Sequence, residues 1–317
     1  MATETVTTPT GSSAPPSGRT ARHPRSMDSH RQRWGYLFIG PFALIFVTFL
    51  IAPLVYAFWM SLHTKTLATG ERFSGLENYA KAFTDPIFLS GLRRVGAFVL
   101  VMVPIQITIA LIAALVLDTL ATRLAKMSRL MIFIPYAIPG MIGALMWGFL
   151  YSPRFGPASD IFGLFGATAP NFLSQSLIFG SLVNIVTWQW SGYYMIIIFA
   201  ALRGIDTSIY EAARIDGANG LQVALRIKVP MISSAMVMVV IFSLIGTLQF
   251  FTEPQVLRGV AQGAIPVAYT PNMYAFSLAF AYSQFNYAST IAFALGVVVF
   301  IGSYIFLFLT RKQSGLK

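Results

Sequence analysis

Six apolar runs, each long enough to cross a lipid bilayer, leave this sequence very few ways to fold. They lie near residues 35–61, 95–117, 130–152, 176–202, 231–252 and 286–310, and a helix needs about 20 residues to traverse the hydrocarbon. Inside lipid every backbone N–H and C=O must find a partner within the protein, which makes α-helices of runs this long. Only 10% of the residues are charged and 56% are hydrophobic, whereas a soluble protein carries about 25% charged residues. The mean hydropathy is +0.68. An all-α integral membrane protein with six transmembrane helices is the expected fold class. There is no cysteine, which excludes disulfides and thiolate metal sites, and no internal repeat.

The net charge of +11 does not point to nucleic acid, because the basic residues gather at the ends of the apolar runs, where the positive-inside rule puts them. Residues 1–33 are rich in Ser, Thr, Pro and Gly and read as a disordered basic tail, with Arg19, Arg22, Arg25, Arg31 and Arg33 ahead of the first run. The membrane domain then occupies 34–317. The first run is too long for a signal-peptide core and lacks a cleavage site. Fifteen of the 22 Lys and Arg fall in the tail, in 118–129, in 203–230 or at the C-terminus (Arg311, Lys312, Lys317), and seven in the alternate segments. Both termini and the loop 203–230 are therefore predicted cytoplasmic. Five of the seven lie in 62–94, which also holds Glu71, Glu77 and Asp85 and is expected to be a folded external segment. Residues 253–285 leave room for a short external helix.

Pro135, Pro139 and Gly140 make the third run the expected broken helix, since proline removes an i→i−4 bond. Ala292-x-x-x-Gly296 permits close helix contact. No Asp, Glu, Lys, Arg or His falls inside the runs as drawn, whereas gradient-driven carriers usually keep an intramembrane ionisable group. His23, His30 and His63 lie in the tail or at a span end. With no HExxH, no acid–base pair and no phosphate-binding loop, the chain offers no catalytic residues, no metal site and no bound cofactor, and cannot hydrolyse ATP by the P-loop route. If it moves solute uphill, the energy must come from another subunit through a cytoplasmic contact.

The loop 203–230 is the one long polar segment that also reads as structured. Ser208-x-x-Glu211 has capping-box spacing. Ile209, Ala212, Ala213 and Asp216 share a face, Gly217 suits a left-handed helix end, and Leu221, Ala224, Leu225 and Lys228 suggest a second short helix before Pro230. A cytoplasmic helix-turn-helix is expected. The string Glu211-Ala212-Ala213-x-x-Asp216-Gly217-Ala218, followed by Ile227-x-Val229-Pro230, closely resembles the EAA motif of permease subunits in binding-protein-dependent ABC importers. Gly75-Leu76-Glu77-Asn78-Tyr79 and Phe133-Ile134-Pro135-Tyr136-Ala137-Ile138-Pro139 are similar to motifs of its maltose-type (MalF-like) carbohydrate branch. The resemblance covers roughly Trp34 to the C-terminus; Ala224 stands where an aromatic is usual and Val229 where Leu is usual.

The resemblance implies a multi-pass permease in a bacterial cytoplasmic membrane. It would work with a second permease, two copies of an ATPase that uses ATP and Mg, an extracytoplasmic solute-binding protein and a sugar substrate. In that family the EAA helix docks in a cleft of the ATPase. Glu211, Ala212, Ala213, Asp216, Gly217, Ala218, Ile227 and Pro230 are the coupling candidates; Glu211 either only caps its helix or also pairs with the ATPase. The sugar is held between the spans flanking this loop, which points to Gln189, Trp190 and Tyr193 before it and Ser243, Thr247, Gln249 and Phe250 after it. Amide, hydroxyl and aromatic groups suit a sugar; the same groups also serve as interhelical hydrogen bonds or an aromatic belt. The absence of cations in the spans favours a neutral sugar over a phosphorylated one. A gradient-driven sugar carrier is the alternative, and behind it a membrane-bound transferase or a scaffold.

Overall fold

The computed structural model of the chain describes residues 28–66, 70–119, 123–153, 156–261 and 263–310, without the side chains of 28–35, 66 and 123–125. Most of the tail 1–33, Arg154, Gln262, Arg311, Lys312 and Lys317, and the side chains of Arg31, Arg33 and Arg123, lie outside the described residues. Two compact units meet at Val55 and Tyr56.

The first unit holds α1 (Asp28–Phe46), which starts inside the segment assigned to the tail, and a π-turn at Val47–Ile51. Helix α2 (Ala52–Ser61) runs on across the unit boundary, and Tyr36–Ser61 qualifies as one membrane span. The π-turn has a local cause. Pro53 has no N–H to give the Phe49 carbonyl, and the preceding residue instead makes a wide bond, Ala52 N–H to Val47 O. Pro230 repeats the pattern: a π-turn at Ala224–Lys228 closes with Val229 N–H on Ala224 O one residue before it.

The second unit opens with a hairpin, β1 (His63–Thr66) and β2 (Gly70–Phe73), in which His63 faces Phe73 and Thr66 faces Gly70. Helices α3 (Glu77–Thr84), α4 (Pro86–Thr119), α5 (Arg123–Ala137), α6 (Gly140–Leu150), α7 (Pro157–Leu164) and α8 (Ile178–Arg203) follow. After them come α9 (Thr207–Ile215), α10 (Gly220–Val223), the second π-turn, α11 (Val229–Met231) and α12 (Ser233–Leu248), then α13 (Thr252–Leu257), α14 (Pro271–Phe280) and α15 (Phe285–Thr310). Five helical segments among the described residues are long and apolar enough to span, and a sixth exists if the bent pair α5–α6 is one span. That pair turns by 97°. The break falls at Ile138 and Pro139, while Pro135 stays inside α5.

Helices α4 and α8 form the centre and run parallel: Phe98 stacks on Phe179 at one end, 4.4 Å between ring centres, and Asp118 meets Arg203 at the other. Ala110 and Ala114 let Tyr194, Met195 and Ile198 of α8 come close. Gly192 faces α5 so tightly that an added Cβ would sit inside the Ile132 carbonyl. At the Phe98 end, residues 61–66 and 70–85 pack on α14 and α15; the sequence predicts a folded segment over 62–94. The Asn78 amide donates to the carbonyls of Ser61 (3.1 Å) and His63 (3.0 Å), and Tyr79 shares a hydrogen bond with the Ser61 hydroxyl. Asp85 accepts from the phenols of Tyr274 (2.7 Å) and Tyr287 (2.9 Å).

Candidate functional site

Two features stand out at and near the α8–α12 connection. The first is α9. Its N-cap is Asp206, whose carboxylate accepts the Ser208 N–H at 2.9 Å. The capping box expected at Ser208 and Glu211 is therefore corrected: the helix starts at Thr207, and an ionised acceptor at a helix N-terminus outcompetes a hydroxyl. Hydrogen bonds from the Ser208 backbone and side chain hold the Asp206 carboxyl below its ordinary value. The reciprocal capping box sits one helix later, between Asn219 and Gln222. Gly217 has φ +84°. Its N–H donates to Arg214 O and the next N–H, of Ala218, to Ala213 O, the paired bonds of a Schellman end. No residue of α9 is buried. Glu211, Ala212, Asp216 and Gly217 are exposed, with Ala213, Ala218 and Ile227 half-buried, and Ile215 is 86% exposed. Pro230 lies in α11, ahead of the long α12.

The loop is tied down at its stems. One carboxylate of Asp118, at the end of α4, receives Lys228 Nζ on one oxygen at 2.5 Å and Arg203 Nε on the other at 3.6 Å. Lys228 also lies 4.6 Å over the Tyr210 ring. Burial, and then the charge of Asp118, push the Tyr210 phenol up.

The second feature is a cavity of about 280 Å³ between α4, α8 and α12–α13. It brings together Trp190, Ser243, Thr247, Gln249 and Phe250, five of the residues the sequence singled out. Gln189 and Tyr193 are not among its lining. They look toward the broken span: Gln189 Nε2 donates to the Ile138 carbonyl freed at the break (3.1 Å), and Tyr193 stacks on Tyr136 at 4.6 Å. At about 100° per residue, Trp190 and Tyr194 own the neighbouring face of α8, and both line the cavity. Ser243 donates to Gln106 Oε1 on α4 at 2.7 Å and Thr247 to the Ser243 carbonyl at 2.8 Å, so interhelical and intrahelical bonding takes both hydroxyl protons. Both residues line the space together with Gln106 and Gln249.

Sequence reasoning missed Gln106, Tyr194 and Glu253. A lone Gln inside an apolar run was the available signal for Gln106. Glu253 was hidden by the span boundary: the helical stretch that qualifies as a span runs Ser233–Leu257 and includes it. Glu253 is 8% exposed and lines the cavity. The expectation of spans without ionisable groups is corrected accordingly, and α4, longer than a bilayer requires, adds Arg93, Arg94 and Asp118. Emptiness of the spans thus no longer weighs against a gradient-driven carrier; relationship does.

No family model matches the sequence. The chain is 31% identical to the lactose transport system permease protein LacF of Rhizobium radiobacter over 88% of its length and 94% of that protein's. It is 30% identical to the probable ABC transporter permease protein YurN of Bacillus subtilis, covering 81% and 89%. Its fold matches a chain in the crystal structure of a bacterial alginate ABC transporter in complex with alginate pentasaccharide-bound periplasmic protein, with a TM-score of 0.75 over 91% of this chain and 97% of that one, at 20% identity.

Proposed function

We propose how this chain works from one premise: it belongs to the permease subunits of binding-protein-dependent, maltose-type ABC carbohydrate importers. It is a non-catalytic subunit that spans a bacterial cytoplasmic membrane six times, α5 and α6 together making one bent span. Both termini and the helix-turn-helix α9–α10 lie in the cytoplasm. A second permease completes the path, two ATPase subunits bind ATP and Mg, and an extracytoplasmic binding protein delivers the sugar.

The observation that carries this reading is α9 itself: a helix capped at both ends, with no buried residue, offering the small Ala212–Ala213 face and the exposed Ile215. A stiff, solvated helix with apolar surface is built to be covered by another chain. Closure of the ATPase dimer displaces α9 as a rigid lever, and α10, the π-turn and Pro230 pass the displacement to α12. The Trp190 and Phe250 rings offer stacking surface to a pyranose, and Gln249, Gln106 and Glu253 offer hydroxyl partners. No Lys or Arg is among the described residues lining this cavity, which fits a neutral sugar or oligosaccharide.

Gly217→Pro tests the lever. Proline cannot adopt φ +84°, so the variant should stay in the membrane yet lose uptake and co-purify with little ATPase; normal uptake would sink the reading. Trp190→Ala tests the path. It should reduce uptake by about tenfold or more while the complex still assembles, and unchanged uptake would move the solute to other helices.

A further inference from the structure

We infer that Asp118 is a positioning residue that clamps the coupling loop to α4, so that loop motion reaches both walls of the cavity rather than α12 alone. The inference rests on the reading of α9 as the ATPase contact and adds a second route to it. Covalent continuity joins the loop forward to α12 through α10 and α11. Asp118 belongs to a different helix, 110 residues away from Lys228 in sequence, and its single carboxylate gathers both stems of the loop: Arg203, the last residue of α8, and Lys228, the last of the second π-turn. Lys228 in turn lies over Tyr210, the neighbour of Glu211 on α9. A continuous path therefore runs from α9 through Tyr210, Lys228 and Asp118 into α4. Gln106 of the same α4 accepts from Ser243 of α12, so the two helices that frame the cavity both receive the displacement.

The Lys228–Asp118 pair is suited to this because it is desolvated, with side chains only 10% and 8% exposed. A buried pair has one good geometry and a steep penalty for half-broken ones, which makes it a joint with discrete states. The Arg203 side chain, 56% exposed, is screened by water and contributes little.

The test uses the complete transporter, purified with its second permease and ATPase in nanodiscs. The readouts are thermal stability, retained ATPase, and the fold-stimulation of MgATP hydrolysis by its solute-binding protein, added with the solute it carries on purification. Asp118→Asn should keep the ATPase bound but melt earlier, because Lys228 is left buried without its partner, and stimulation should fall about tenfold. Asp118→Asn with Lys228→Met removes both charges; stability should return while stimulation stays low. Lys228→Arg, which keeps the charge beside an intact Asp118, should keep most of the stimulation. If stimulation returns together with stability in the double variant, the pair only holds the fold together and the inference is overturned; normal stimulation in Asp118→Asn overturns it as well. The two failures look different. ATPase retained by Gly217→Pro would overturn the contact reading and this inference with it, whereas a double variant that couples normally while Gly217→Pro has lost its ATPase overturns this inference alone.

Discussion

The two polar ends of the α4–α8 centre are held by opposite means. At the Phe98 end, side chains bond to backbone and to one another: Asn78 to two carbonyls, Thr290 to the Ser61 carbonyl at 3.1 Å, and Asp85 to two phenols. At the Asp118 end, the loop carries an exposed helix and is attached by one ionic joint. Each of these side chains is held by two or more fixed partners at once, so the first end is a fixed cap. A helix that buries nothing has no such commitment, so the second end is free to follow another chain.

Four substitutions probe that contrast, in falling order of effect on stability. Asn78→Ala should cost roughly 1–3 kcal/mol, because the His63 carbonyl loses its Asn78 donor and the Ser61 carbonyl is left with Thr290 alone. Thermal melting in detergent checks it, and a near-neutral result would mean the cap is as loosely held as the loop. Asp85 gives the cap an acid limit. Burial alone would raise its carboxyl, but the Tyr274 hydroxyl, the Ile87 N–H and the Tyr287 hydroxyl together hold it below the unfolded value of 3.8. Its contribution is complete above that value and is lost as pH falls through the folded one. Between about pH 6 and about pH 3 the wild type should therefore lose more melting temperature than Asp85→Asn; parallel loss would remove Asp85 from the cap. At the other end, Asp206→Ala should speed hydrogen exchange at Ser208 and its neighbours without moving the global melt, and Ser208→Ala should do neither. A global shift from Asp206→Ala would show the lever to be part of the core.

Local chemistry was legible in the sequence, and long-range pairing was not. The apolar runs located the spans, Pro139 and Gly140 marked the bend, and Gly217 marked the end of α9, because each acts within a turn or two of itself. The partner of Lys228 could not be read, since nothing near Leu117 or Thr119 distinguishes Asp118 from a solvated helix end. Which face of α8 lines the cavity could not be read for a related reason: Gln189–Tyr193 and Trp190–Tyr194 are equally spaced, and only the neighbours decide which pair meets α5 and which meets α12. The hairpin at His63–Phe73 escaped because its strands are short and polar, without the alternation that a half-buried strand shows.

The two π-turns carry a consequence for how such a chain can change by insertion and deletion. Each holds one residue more than an α-turn needs, and in each the surplus stands directly before a proline, Pro53 or Pro230. The surplus residue moves the proline ring clear of the carbonyl beneath it, so the two form one heritable unit. Deleting a residue from Ala224–Lys228 alone would press Pro230 back onto the turn below, and replacing Pro230 alone would leave an idle bulge. Losing both together would close the helix to ordinary α geometry with every later residue, Ser243 and Thr247 among them, still on its present face.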